Sequence, residues 1–223
     1  MAIFKNVSTV ILTIAAAIIL VLATSFPVMS QGNEAECPHD PAHDITYKEI
    51  REKAINDCTL RRLKDVDIAL IDSLIQVEKN HEIPPSVRGL LLAASCSESG
   101  YNPKARGDYR RIKGTNKRKP RAYGILQFWP WANKYIDRDD PIASANFWLS
   151  RIKRQVPFVA KRCKFKSDKR IWYAAHVTAV RAPKKSGRCY EKSRHHALLN
   201  KWHRSIRKDR QKCWSALLDG DGC

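Results

Sequence analysis

The pattern of apolar and polar residues predicts a mainly helical chain. Apolar stripes with a period near 3.6 residues indicate helices over 47–54, 66–79, 86–99, 140–152 and 190–217. In the last helix we place Trp214 toward the core and His195, His196 and His203 on the solvated side. Between residues 106 and 121 the chain is polar and marked by glycine and proline, which favours a small β-hairpin near 107–123.

One helix carries the strongest candidate chemistry. The segment 90–94 is apolar without interruption, so we expect this helix to be buried nearly all round. Glu98 lies in line with the buried face at the C-terminal end, where Gly100 and Asn102-Pro103 stop the helix. Desolvation and the negative end of the helix dipole are both expected to raise the pKa of this carboxyl group, which suits a proton donor.

A second motif, Gly124-Ile-Leu-Gln127, stands downstream and continues into Phe128-Trp-Pro-Trp131. Together with Glu98-Ser-Gly-Tyr-Asn-Pro-Lys-Ala105, and in this order, it resembles the soluble lytic transglycosylase family. Members of that family combine an E-S-G-[FY]-N-P-x-A turn with a G-[LI]-[ML]-Q segment. The resemblance covers residues 66–181 and is sharpest over 84–105 and 122–131.

The resemblance implies one mainly α, lysozyme-like domain that cleaves the β-1,4 bond between N-acetylmuramic acid and N-acetylglucosamine in peptidoglycan. Glu98 would first protonate the bond and then, as a carboxylate, take the proton of the muramic 6-hydroxyl, which closes a 1,6-anhydro ring. Substrate contacts would fall to Gly124, Ile125, Gln127, Trp129, Ala175 and His176. This chemistry needs neither a metal nor an organic cofactor.

The segment Ile171–Ala179 departs from the family pattern. His176 stands where the family usually has tyrosine, and Val177 stands where it usually has asparagine. His176 could still bind a sugar hydroxyl or hold Glu98 by a hydrogen bond, and the alternative is a hydrogen-bonded core histidine.

Two other functions remain open. A lysozyme-type muramidase would hydrolyse the same bond and needs a second acid, for which Asp108 is the candidate, although nearby Arg106, Arg110 and Arg111 favour a salt-bridged surface acid. A non-catalytic module that binds cell wall or another polyanion is the third function. A buried acid within a matching turn argues against this third function, because binding alone does not need one.

The ends of the chain differ from the middle. The first thirty residues carry one charge, Lys5, and an apolar run from Val10 to Ala23, and Val28 and Ser30 place small residues at minus three and minus one before Gln31. This pattern predicts a signal peptide over 1–30, with an uncleaved anchor as the alternative. The predicted domains that follow are an N-terminal extension (31–63), a catalytic domain with a basic C-terminal helix (64–217) and a short tail (218–223).

All seven cysteines follow the predicted signal peptide, which suggests disulfides in an exported protein, periplasmic or extracellular. We expect Cys96, inside the buried helix, to be a free core thiol. The other six allow three bridges without a defined connectivity. Metal binding by Cys37, His39 and His43 is disfavoured, because their spacing matches no standard zinc pattern.

Charge is concentrated in the second part of the chain. Residues 1–100 carry 9 Lys and Arg against 13 Asp and Glu, whereas residues 101–223 carry 32 against 9. A basic half of this size favours polyanions. In an exported protein we expect peptidoglycan strands and anionic envelope polymers as partners, no nucleic acid, and a monomeric state. The basic hairpin is interpreted either as a solvated charge run or as an anion-binding edge of the substrate groove.

Overall fold

The structure, a computed structural model, describes residues 43–62, 67–180, 189 and 193–218. These residues are mainly helical, as predicted, with six α-helices: α1 Tyr47–Arg62, α2 Ile68–Asn80, α3 Leu90–Ser99, α4 Pro141–Cys163, α5 Asp168–Val180 and α6 Arg194–Leu218. Short 3-10 helices occupy Pro85–Val87 and Pro130–Lys134. No helix in these ranges is long and apolar enough to span a membrane. The predicted signal peptide lies outside the described residues.

Helix α3 forms the centre of the core. Its first six residues are fully buried, and it packs against α1, α2 and α6. The predicted helix 86–99 is interrupted, because Gly89 adopts φ +89° and an added Cβ would lie 2.7 Å from a side-chain carbon of Ile50. The buried carboxylate of Glu78 then caps α3, accepting hydrogen bonds from the N–H groups of Gly89 at 2.8 Å and Leu91 at 2.6 Å.

Two helices are longer than the apolar pattern predicts. Helix α1 continues to Arg62 and packs against α2, α3 and α6, so the segment predicted as an extension contributes to the same core. Helix α4 continues through Pro157 to Cys163 and packs most extensively against α5. These contacts stabilise helical turns whose own sequence gives a weak signal.

Helix α6 turns a different face to the core than we predicted. His195, His196 and His203 are 7%, 3% and 2% exposed, and Trp214 is 37% exposed. Leu199, Trp202 and Ile206 fill the core as expected, but His195 continues their spacing by one further turn. The histidines are therefore core residues.

A two-part hairpin stands between α3 and the aromatic segment, where a hairpin was predicted. Strand β1 (Arg106–Gly107) pairs antiparallel with β4 (Ala122–Tyr123), and β2 (Arg110–Arg111) pairs antiparallel with β3 (Arg118–Lys119). The hairpin base lies against the core, whereas β2 and β3 are exposed.

Disulfides link distant parts of the chain, as predicted. Cys58 of α1 pairs with Cys96 of α3, and Cys163 at the end of α4 pairs with Cys189. Cys213 is also disulfide-bonded. The prediction of a free thiol at Cys96 is wrong, because α3 passes α1 with the two Cα atoms 5.9 Å apart. The bridges indicate an oxidising compartment.

Candidate active site

A cleft of about 820 Å³ opens beside the C-terminal end of α3. The hairpin base, the aromatic segment after Gln127 and helices α4, α5 and α6 complete its walls. The residues that line it are Glu98, Gly107, Asp108, Ala122, Leu126, Gln127, Phe128, Trp129, Trp131, Lys134, Tyr135, Trp148, Arg151, Ala179 and Arg194. Among the described residues, the carboxylates in this lining are Glu98 and Asp108.

Glu98 reaches the cleft from the last turn of α3, with 17% of its side chain exposed. Gly100 ends the helix in the left-handed conformation at φ +63°. The hydroxyl of Ser99 contacts the carbonyl oxygens of Ser95 and Ile125 at 3.1 and 3.0 Å. The turn after Glu98 is thereby tied to the Gly124–Gln127 segment, so the two motifs form one local structure.

Two glycines determine the position of Gln127: Gly124 allows the turn that carries it, and Gly107 leaves room for its side chain. Gly124 adopts φ +76°, and an added Cβ there would lie 1.9 Å from the carbonyl oxygen of Arg138. An added Cβ at Gly107 would lie 2.2 Å from Oε1 of Gln127. The Nε2 of Gln127 donates to the carbonyl of Gly124 at 2.8 Å and fixes the amide in the lining.

Exposed aromatic rings form one wall. Trp129, Trp131 and Tyr135 are 41%, 41% and 57% exposed, whereas Phe128 is buried and meets Trp131 edge to face at 6.0 Å. Such half-covered rings offer flat apolar faces within reach of a ligand. Arg121 lies over the face of Trp129 at 4.3 Å and holds the ring from the hairpin side.

Asp108 accepts a hydrogen bond from the indole of Trp129, where we expected an ion pair with a neighbouring arginine. The Nε1 of Trp129 donates to Oδ2 of Asp108 at 2.8 Å. Arg106 pairs instead with Asp139 at 2.8 Å, and its guanidinium lies over the ring of Tyr123 at 4.5 Å. Asp108 remains exposed in the cleft.

Two residues of α6 hold the Glu98 carboxylate. The Nε2 of His195 donates to Oε1 at 2.7 Å, and Nη2 of Arg194 forms an ion pair with Oε2. Burial raises the pKa of Glu98, but the hydrogen bonds and charges of His195 and Arg194 outweigh burial and hold the pKa below its usual value. The expectation of a raised pKa is therefore wrong for the free protein.

Behind His195 lie two further imidazoles. The Nδ1 of His195 is 3.2 Å from Nε2 of His176, and Nδ1 of His176 is 2.7 Å from Nε2 of His196. Burial, followed by the neighbouring histidines, lowers the pKa of His176 well below its usual value, so this ring stays neutral. His176 is therefore connected to Glu98 through His195, which makes the hydrogen bond to the carboxylate.

The remaining predicted residues lie behind the cleft surface. Gly124, Ile125, Ala175 and His176 are buried and absent from the lining, whereas Glu98, Gln127, Trp129 and Asp108 come together there. Sequence reasoning missed Arg194, His195, Trp131 and Tyr135 as site residues. For His195 the available signal was its helical register with Leu199 and Trp202.

The family resemblance rests on the two motifs around Glu98 and Gln127. Comparisons of the chain with protein-family models, curated proteins and solved structures found no match. The function therefore has to follow from the geometry and chemistry of the cleft.

Proposed function

We propose that this protein is a peptidoglycan lytic transglycosylase with a lysozyme-like fold, in which Glu98 acts first as acid and then as base. The observation that carries the proposal is a shielded carboxylate, 17% exposed, at the wall of a cleft with exposed tryptophans. Desolvation by a bound glycan would favour the neutral form of Glu98 that an acid requires.

The proposed reaction conserves protons. Glu98 gives its proton to the glycosidic oxygen as the bond from that oxygen to C1 of muramic acid breaks. The resulting carboxylate then takes the proton of the 6-hydroxyl as that oxygen bonds to C1. Glu98 ends the cycle protonated, and no external water is consumed.

The cleft also offers contacts for sugars and for their charges. Trp129 and Trp131 expose ring faces on which the C–H faces of sugars can stack, and the fixed amide of Gln127 can bind a sugar amide or hydroxyl. Lys134, Arg151 and Arg194 surround the same space and suit the carboxylates of muramic acid and of wall peptides. The basic hairpin extends this positive surface toward anionic envelope polymers.

The cellular location belongs to the same proposal. The disulfides fit a protein that works outside the cytoplasm, in the periplasm or extracellularly, where peptidoglycan is accessible.

Hydrolysis is the second candidate because Asp108 lines the same cleft as Glu98. A muramidase would use Asp108 to position the attacking water. The hydrogen bond from Trp129 already occupies one oxygen of Asp108, which leaves the other oxygen for such a role.

Product analysis tests the proposal. Peptidoglycan is digested with the mature protein and with Glu98→Gln, and the fragments are identified by mass spectrometry. We expect 1,6-anhydromuramic ends from the wild type and a rate loss of about 10²–10⁴-fold in the variant, since removal of an acid-base group has this effect. Glu52→Gln, a matched change on the exposed face of α1, should retain activity.

The other outcomes separate the alternatives. Reducing ends that disappear in Asp108→Asn would establish a muramidase instead. If neither the wild type nor Glu98→Gln releases fragments, but both bind the wall equally, the protein is a binding module and the enzymatic proposal fails.

A further inference from the structure

Glu98 is the end of a continuous line of hydrogen-bonded titratable groups. From the cleft inward, the contacts are 2.7 Å to His195, 3.2 Å from His195 to His176 and 2.7 Å from His176 to His196. All three rings are at most 7% exposed. A single neutral hydrogen-bond donor would be enough to hold the carboxylate of Glu98 in position. The two further histidines behind His195 therefore indicate a role beyond holding this side chain.

The hydrogen-bond roles along the line follow from the carboxylate. An ionised Glu98 only accepts, so Nε2 of His195 carries a proton. A neutral His195 then accepts at Nδ1 from Nε2–H of His176, whose own Nδ1 accepts from Nε2–H of His196. A second proton on His195 reverses the two inner hydrogen bonds without moving any ring. The two inner rings can thus adapt to either charge state of His195.

Neighbouring rings keep the line in place. Tyr173 stacks on His196 at 3.8 Å with the planes 6° apart, and Trp148 lies 5.1 Å from His176. The hydroxyl of Tyr173 donates to Asn200 at 3.1 Å. These ring contacts fix the planes of His176 and His196, and the hydrogen bonds between the three imidazoles determine which edge of each ring faces its neighbour.

We propose that Glu98 and His195 share one proton and act as a single acid-base unit, with His195 as the positioning residue and His176 and His196 as its tautomer control. This inference rests on the proposed function of Glu98. The other charged groups around the pair are Arg194 on α6 and, in the cleft lining, Asp108, Lys134 and Arg151.

The unit resolves a conflict between the free protein and the reaction. In the free protein the contacts from α6 keep Glu98 ionised, although cleavage needs a protonated acid. The missing proton is already on His195, 2.7 Å away. The step starts from the charge state in which His195 carries a proton on each ring nitrogen. When a glycan displaces Arg194, whose side chain is 65% exposed, the Nε2 proton of this imidazolium moves to Oε1 of Glu98, and the Nδ1 proton stays on the ring. The imidazole becomes neutral, the carboxyl becomes neutral, and the total charge of the pair is unchanged.

The sharing of the proton can be measured without any enzymatic assay. In ¹⁵N- and ¹³C-labelled protein, we expect the ring nitrogens of His195 and the carboxyl carbon of Glu98 to change with pH in the same coupled transitions. In Glu98→Gln, the ring nitrogens of His195 should lose this coupled change, because the neutral amide cannot exchange a proton with the imidazole. A His195 transition that is unchanged in Glu98→Gln would overturn the proposal, whatever the protein does to peptidoglycan.

The pH dependence of cleavage is the second measurement. His195→Gln keeps a donor to Oε1 but cannot hold the proton, so we expect about a 10–100-fold lower kcat near neutral pH, an optimum at lower pH and a KM close to that of the wild type. His203→Gln changes another buried histidine of α6, which donates to the carbonyl of Arg88, and should leave the shape of the profile unchanged. A wild-type profile in His195→Gln refutes the unit, whereas an inactive wild type refutes the proposed function alone.

Discussion

A hydrogen bond from His195, which follows 97 residues later in the chain, controls how firmly Glu98 holds its proton. Burial and the end of α3 favour the neutral carboxyl, as expected from the local sequence. The two contacts from α6 reverse the direction of the pKa shift. The ionic state of the candidate catalyst is therefore a property of the helix packing between α3 and α6.

Gly124 illustrates a motif residue with a steric role. We expect Gly124→Ala to lower the free energy of unfolding by about 2–4 kcal/mol, since it combines a positive φ with a Cβ placed 1.9 Å from a backbone oxygen. Displacement of this turn should also move Gln127 and reduce glycan binding. Urea denaturation and a binding assay measure the two effects.

Gly114→Ala is the matched control for this substitution. Gly114 has almost the same conformation, φ +78°, but nothing lies within 4 Å of an added Cβ. It should show only the conformational cost, about 1 kcal/mol. Equal losses in the two variants would mean that contact with the Arg138 carbonyl is unimportant.

At the scale of elements, the hairpin tip brings like charges together. Arg110 lies opposite Lys119, and Arg111 lies opposite Arg118. Both cross-strand pairs are repulsive, which costs stability that an anionic partner would restore. This register supports the interpretation of the hairpin as an anion-binding edge of the cleft.

Charge reversal on β3 tests this interpretation. In Arg118→Glu/Lys119→Glu, both cross-strand pairs become attractive, so we expect unchanged or slightly raised thermal stability. Binding to purified wall should weaken at least about tenfold and lose much of its salt dependence. Lys153→Glu/Lys161→Glu makes the same charge change on exposed positions of α4. Equal weakening by both double variants would assign binding to net charge instead of the hairpin.

The apolar pattern predicted most elements because their stripes are continuous. It located α2 and α3, and the polar segment marked by glycine and proline located the hairpin. The two motifs identified Glu98 and Gln127, which both line the cleft. The apolar pattern did not predict the break at Gly89, which depends on a close approach of Ile50. It also assigned His195 to the solvated face, because histidine is ambiguous between core and surface. The partners of Glu98 could therefore not be predicted from the sequence, because they depend on how α6 packs against α3.

At the scale of the molecule, buried titratable groups couple stability to pH in opposite directions. Burial lowers the pKa of His203 from 6.5 to about 4, so the folded protein binds fewer protons than the unfolded chain between these values. The contribution of the neutral His203 to the free energy of unfolding is therefore lost as the pH falls from 6.5 toward 4. Burial raises the pKa of Glu78 from 4.5 to about 7, so its contribution is lost as the pH rises across that range.

Acidification should expose the balance of these contributions. His176 acts in the same direction as His203, and two histidines outweigh one glutamate, so we expect the free energy of unfolding to fall as the pH is lowered below 6.5. Glu49 and Asp57, whose ion pairs and hydrogen bonds hold their pKa values below 4.5 and 3.8, add a further loss at lower pH. Urea unfolding between about pH 4.5 and 7.5 measures the slope.

Two variants should change this slope with opposite sign. His203→Gln removes one group that loses stability in acid, so the free energy of unfolding should rise less steeply with pH, by up to about 1.4 kcal/mol per pH unit. Glu78→Gln removes the opposing group, so the rise should become steeper, while the N–H group of Gly89 or Leu91 loses its acceptor. A slope that is unchanged in Glu78→Gln would show that Glu78 is ionised throughout this range and that its carboxylate, held by two backbone N–H groups, acts as a fixed charge at the start of α3.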